Sequence, residues 1–342
     1  MRKIAIINQK GGVGKTTTAV NLAAGLSRLK KRVLVIDVDP QANLSVHLNV
    51  DIASAERTVY EVLTGEYSLG EAIRNVPEEG FDIVSSNINL AGAEIELVNQ
   101  MGREVILRDA VNALDPNTHP YDFLLIDCPP SLGLLTVNAL TAVDELFIPL
   151  QVQFFALQGI SKLLDIIELV RKRLNANLAL TGIIPVMFDQ RTKLSHQVLD
   201  EIKSYFGKTV MRTIVRFNVR LAEAPSHGLT IFRYAPNSYG AQDYAALAKE
   251  VAKMNQEERA FRPPAKMEKS APAARQTAAI FPSPVAVEPA PHVPAPAQNA
   301  TPNAQPPQGA ANSSAIAVES GGESVAESQP ACAQTSSQTS VT

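Results

Sequence analysis

Lys10-Gly11-Gly12-Val13-Gly14-Lys15-Thr16-Thr17 follows the apolar run Ile4-Ala5-Ile6-Ile7 and precedes a segment with helical apolar spacing at Val20, Leu22, Ala23 and Leu26. Strand, glycine-rich turn and helix, in that order, make an anion site. The glycines let the backbone curl so that successive N–H groups face a phosphate, and the helix N-terminus adds its positive dipole end. In such a loop Lys15 is placed for the β- and γ-phosphates of a nucleotide and the Thr16 hydroxyl for Mg²⁺. The cradle therefore runs through Lys10, Gly11, Gly12, Val13, Gly14, Lys15, Thr16 and Thr17.

Outward from this loop the chain alternates. Buried strands are predicted at Lys3–Asn8, Arg32–Val38, Phe81–Ser85, Asp122–Asp127, Glu145–Pro149 and Leu180–Val186. Helices are predicted at Thr16–Leu29, Arg103–Leu114, Leu134–Val143, Leu157–Leu174, Ser195–Phe206, Val219–Ala224 and Ala241–Met254. Strands alternating with helices of this length imply an α/β fold, a parallel twisted sheet with helices on both faces. Ligands of such sheets sit at the carboxyl ends of the strands. Two acidic stretches fall at such ends: Asp37-Val38-Asp39-Pro40-Gln41, and Asp127-Cys128-Pro129-Pro130-Ser131. A carboxylate there, beside a phosphate loop, is placed for Mg²⁺, usually through water. The same residues also serve elsewhere as helix N-caps and turn formers. Cys128 has no histidine or basic neighbour in sequence to activate it, which suits a buried structural thiol.

Composition divides the chain. Hydrophobic residues make up 45% of the 342, yet 13 of the 23 prolines lie at or after Pro263. From there the chain is rich in Pro, Ala, Ser, Gln and Thr, and Phe281 is its one aromatic residue. Such a segment buries too little apolar surface to offset its ordering entropy, so 263–342 is expected to be a disordered tail after a domain over 1–258. Up to Arg262 there are 28 basic and 29 acidic residues, so bulk charge does not announce a nucleic-acid binder and any DNA contact must be local. Two distant cysteines, Cys128 and Cys332, exclude a disulfide scaffold and suit a reducing cytosol. No run of 18 or more apolar residues offers a membrane span, and Ile4–Ile7 is too short for a signal peptide.

The phosphate loop departs from G-x-x-x-x-G-K-[ST] at its first position, where Gln9 replaces glycine and Lys10 follows. This resembles the deviant Walker A motif of the ParA/MinD superfamily of P-loop NTPases. Over about residues 1–255 the chain resembles the ParA/Soj family of DNA-partitioning ATPases, through Asn8–Asn21, Arg32–Asn43, Leu90–Val98, Tyr121–Ala142 and Asn218–Gly228. The resemblance implies ATP and Mg²⁺ as ligands. It makes Lys10, Lys15 and Asp39 catalytic, with Lys10 crossing a dimer interface to the partner's nucleotide and Asp39 orienting the attacking water. It assigns the metal to Thr16, Asp37 and Asp127, the last as Walker B aspartate. It places Met187 and Pro236 near adenine, and Arg191 and Arg220 on non-specific DNA, where cations act by releasing counterions rather than reading bases. The implied partners are a second copy in an ATP-dependent homodimer, DNA and a ParB-like protein, in the cytoplasm on the nucleoid.

Two departures bear on the DNA surface. Arg216-Phe217-Asn218 stands where the family commonly has Pro-Arg-Asn, and Leu229 where it commonly has lysine. One charge has moved and one is gone, so DNA binding is expected to be weaker or differently oriented. The loop begins so near the N-terminus that the helix-turn-helix domain of the larger plasmid ParA proteins is not expected. Three rival functions are weighed. A membrane-riding switch like MinD needs a basic amphipathic C-terminal helix, and the tail has no basic residue after Arg275. A redox ATPase like nitrogenase iron protein needs several cluster-ligating cysteines. An ATPase that positions protein clusters or organelles over the nucleoid would carry the same catalytic residues as one that segregates DNA.

Overall fold

The computed structural model describes residues 1–51, 56–153, 156, 160–255 and 260–261. Among these, one sheet is built from β1 (Arg2–Ile6), β2 (Val33–Asp37), β3 (Arg74–Val76), β4 (Phe81–Val84), β5 (Phe123–Asp127), β6 (Glu145–Gln151) and β7 (Ala179–Val186). Their spatial order is β3-β4-β2-β5-β1-β6-β7, parallel throughout except for β3, which pairs antiparallel with β4 at one edge. The helices are α1 (Lys15–Arg28), α2 (Asn43–His47), α3 (Val59–Thr64), α4 (Leu69–Ala72), α5 (Leu90–Glu96), α6 (Ile106–Asn112), α7 (Leu134–Ala142), α8 (Ile160–Arg173), α9 (Lys193–Phe206), α10 (Val219–Glu223), α11 (Ile231–Tyr234) and α12 (Tyr239–Lys253). The expected tail, and the first three residues of the helix expected over 157–174, lie outside the described residues.

The two-residue period of the strands sorts their apolar side chains to opposite faces. On β1, Ile4 and Ile6 join a core with α1, α11 and α12, while Ala5, with Ile7 just beyond the strand, joins a second core with α3 to α9. Strands buried on both faces read as near-continuous apolar runs, and β2 and β5, buried from end to end, are apolar up to their terminal Asp37 and Asp127. The chain leaves β1 for β2 on one side and later lays β6 and β7 on the other. The loop after β1 therefore stands at the point where the strand order reverses, where open α/β sheets bind ligands.

The edge at β7 is partly covered by chain from beyond it. Val210 bridges Ile183, Arg216 bridges Phe188, and the Phe261 N–H donates to Leu180 O at 2.8 Å. The Phe261 ring packs on Tyr205 and Phe206 of α9. Contacts of this domain thus extend three residues past position 258.

Candidate nucleotide site

The loop between β1 and α1 is shaped by two left-handed glycines, Gly12 at φ 71° and Gly14 at φ 79°. A side chain at either would strain the backbone. Gly14 is the N-cap of α1 and no side chain caps that helix. Uncapped N–H groups at the start of a 14-residue helix, next to a buried Lys15, form an anion site built from backbone. Asn8 steadies the loop's entry: its Nδ2 donates to Pro149 O at 2.8 Å and its Oδ1 accepts from Lys10 N at 3.0 Å.

The carboxylates meet beside it because the strands are in register. Asp37 on β2 is the lateral partner of Asp127 on β5, and both are fully buried. The Thr16 hydroxyl donates to Asp127 Oδ2 at 2.7 Å, whereas Asp127 Oδ1 has no partner. Burial, then the neighbouring Asp37, holds the Asp127 carboxyl well above the usual carboxylate range. Burial also raises Asp37, to about 7, against the hydrogen bonds it accepts from Ser45. Two adjacent buried acids, one with an oxygen that no protein group satisfies, are chemically suited to a cation. Magnesium is an ion that takes one or two carboxylates and completes its shell with phosphate and water. The residues present therefore fit Mg²⁺ with Thr16 and Asp127, Asp37 standing behind them. Bound there, it would neutralise phosphate charge. Asp39 is buried at the edge of this group, its Oδ1 accepting from Gln41 N at 3.0 Å.

The other expected site residues are Lys10, Met187, Pro236, Arg191 and Arg220. Lys10 is exposed, and its Nζ donates to Gln151 Oε1 at 3.2 Å. Met187, at φ 54°, lines a cavity of about 120 Å³ with Gly14, Val215, Phe217, Leu221 and Tyr244. Pro236 is exposed between α11 and α12 and is not part of that lining. Arg191 and Arg220 lie three and four residues beyond the bridged pair Phe188 and Arg216. Both are exposed and already paired: Arg191 Nη2 to Asp189 Oδ2 at 2.9 Å, Arg220 Nη1 to Glu223 Oε2 at 2.8 Å. Exposed pairs of this kind are weak. Burial pushes the Cys128 thiol up, which disfavours the nucleophilic thiolate.

A family model described as an AAA domain matches residues 1–180. The sporulation initiation inhibitor protein Soj of Bacillus subtilis is 50% identical over 249 residues, 73% of this chain and 97% of that protein. The chromosome partitioning protein ParA of Myxococcus xanthus is 46% identical over 252 residues, 74% of this chain and 88% of that protein. This chain belongs to the ParA/Soj family. Among solved structures, a cobyrinic acid a,c-diamide synthase from Mycobacterium smegmatis, with bound ATP analog and magnesium, is 33% identical with a TM-score of 0.66, covering 77% of this chain and 99% of that one. As a member of the ParA/Soj partitioning ATPases, the chain is an ATPase that uses ATP and Mg²⁺.

Several residues that hold this ParA/Soj site together carry no sequence signal of their own. Ser45 clamps Asp37 through its N–H and its hydroxyl, at 3.1 and 2.8 Å. Gln151 anchors Lys10 from the end of β6. Phe217 and Tyr244, far apart in sequence, meet at the cavity beside Gly14.

Proposed function

We propose that this ATPase is a dimer switch: ATP joins two copies face to face, the dimer binds DNA without sequence preference, and a ParB-like partner stimulates hydrolysis to release it, segregating a chromosome or plasmid on the nucleoid. The observation that carries the reading is Lys10, a second loop cation whose exposed side chain is bonded to Gln151. Such a lysine, reaching a neighbour's nucleotide, would neutralise charge developing at the transferred phosphoryl. In this reading Lys15 holds the phosphates, Asp39 orients the attacking water, and Thr16, Asp37 and Asp127 serve the metal. Met187 and Pro236 border the base, Arg191 and Arg220 meet DNA phosphates, and the tail over 263–342 lies apart from these tasks. The names of the curated relatives favour DNA as cargo over protein clusters.

The test is DNA affinity on several unrelated duplexes, titrated with salt, in Mg²⁺·ATP and in Mg²⁺·ADP. The reading expects tight, sequence-indifferent, salt-sensitive binding in ATP alone. Sequence-selective binding, or equal affinity in both nucleotides, would overturn it.

A further inference from the structure

The carboxylates of the nucleotide site also hold a five-residue helix. Asp39 opens the turn into α2, with Ala42 N donating to Asp39 O at 2.8 Å and Gln41 N to its carboxylate. Asp37 Oδ2 accepts from both the N–H and the hydroxyl of Ser45 inside that helix. The Ser45 hydroxyl in turn accepts from Ser86 N, two residues past β4. The helix is bounded by two left-handed non-glycine residues, Ala42 at φ 52° and Asn49 at φ 52°. Ala42 lacks the polar side chain that eases this conformation, so its backbone is strained at the junction between the carboxylates and α2.

The far end of α2 is fastened to a different part of the molecule. His47 is buried and neutral, its pKa pushed down to about 4 by burial, and its Nε2–H donates to Leu229 O at 3.1 Å. Next to it Gly228, itself left-handed, lies so close to Asn49 that an added Cβ would stand 2.7 Å from the Asn49 Cβ. The segment Gly228–Ile231 is gripped from its other side by the phosphate-loop helix: Asn21 Nδ2 donates to Thr17 O, and Asn21 Oδ1 accepts from Ile231 N, both at 2.8 Å. This segment follows directly on α10 and the 3-10 turn Ala224–His227. On α10, Arg220 is held by Glu223, which also accepts from Tyr234 at 2.9 Å.

We propose that α2 is a lever that carries the state of the nucleotide site to the Arg220-bearing surface, and that His47 is the positioning residue at its output end. Asp37 and Asp39 hold α2 in one place when they face only protein. Recruiting them to the metal and the attacking water changes what they offer Ser45 and the Ala42 turn. A rigid five-residue helix with a strained hinge moves as a body, and His47 passes that movement to Leu229. Coupling of this kind needs two arrangements of a connected element, each favoured by one state of the site.

Hydrogen exchange on the full chain, with Mg²⁺ and a non-hydrolysed ATP analogue against Mg²⁺·ADP, tests the lever without reference to DNA. The native protein should change exchange across 224–234 by roughly fivefold or more between the two nucleotides, the lower bound of ordinary allosteric coupling. His47→Ala should lose that change while peptides over 10–17 keep their nucleotide protection. His47→Gln, whose amide can still donate to Leu229 O, should restore part of it and guards against a variant that fails to fold. Retention of the full change in His47→Ala, or its absence in the native protein despite a protected phosphate loop, overturns the lever. The link to DNA rests on the proposed function: if the lever responds and neither protein binds DNA, the DNA reading fails and the lever stands.

Discussion

Replacing Asp127 with asparagine should make the nucleotide-free protein more stable and disable it. Asp127 is fully buried, one oxygen bonded to the Thr16 hydroxyl and the other without a partner, beside Asp37. Asparagine has the same shape. Its carbonyl can still accept from Thr16, and its amide changes the group at the position where the other carboxylate oxygen has no partner. Relief of one unsatisfied buried polar atom is worth about 1–3 kcal/mol, a rise in midpoint of roughly 2–10 °C for a domain of this size. The sign with pH follows from burial and from Asp37, which hold the Asp127 carboxyl above its ordinary value of 3.8. Above that value the native state keeps a proton that the unfolded chain has lost, so native stability falls as pH rises. The gain from Asp127→Asn should therefore be larger at pH 7.5 than at pH 5. Thermal unfolding at both pH values, with and without Mg²⁺·ATP, measures it. The variant should gain stability alone and lose the magnesium-dependent part of the stabilisation by ATP. A variant less stable than native at pH 7.5, or one that keeps its full magnesium dependence, would refute this account of the carboxylates.

Lys10→Ala should leave ATP binding by single subunits intact and impair dimerisation or turnover; mixing it with Asp39→Ala protein and assaying ATPase activity shows whether the lysine acts on the partner's nucleotide. Arg220→Glu should weaken binding to all DNA sequences alike, lower the salt slope by about one unit, and leave basal ATP hydrolysis unchanged. Cutting after Arg262 should preserve the thermal midpoint, ATPase rate and DNA affinity. Phe261→Ala in that shortened chain should cost about 1–2 kcal/mol, below the ~3–5 of a fully buried phenylalanine, because the ring is half-buried on Tyr205 and Phe206.

The parts of the fold that read directly from sequence are those fixed by local chemistry. The glycine loop, the apolar runs into Asp37 and Asp127, and the amphipathic α9 and α12 are each explained within about 15 residues. Elsewhere distant contacts decide. The helix expected from Arg103 begins at Ile106, because the carbonyls of Arg103 and Glu104 accept from the Asn138 and Thr141 side chains of α7. The edge strand β3 has three residues and little apolar character; it runs opposite β4 with Asn75 Nδ2 bonded to Asp82 at 2.5 Å. The helix α2 is too short for periodicity to show, and it is held through Asp37. The site divides in the same way. Its phosphate cradle is written as one contiguous motif, whereas the clamp of Ser45 on Asp37, the contact of Lys10 with Gln151 and the wall of Phe217 beside Gly14 exist only once the sheet has formed.

The central claim, that ATP joins two copies and hydrolysis parts them, is tested most directly by the molar mass of Asp39→Ala protein from light scattering on a sizing column. That variant keeps the phosphate cradle and lacks the group assigned to orient water. The account predicts twice the chain mass in Mg²⁺·ATP and the single-chain mass in Mg²⁺·ADP. A single-chain mass in both nucleotides, with ATP shown to be bound, would contradict it.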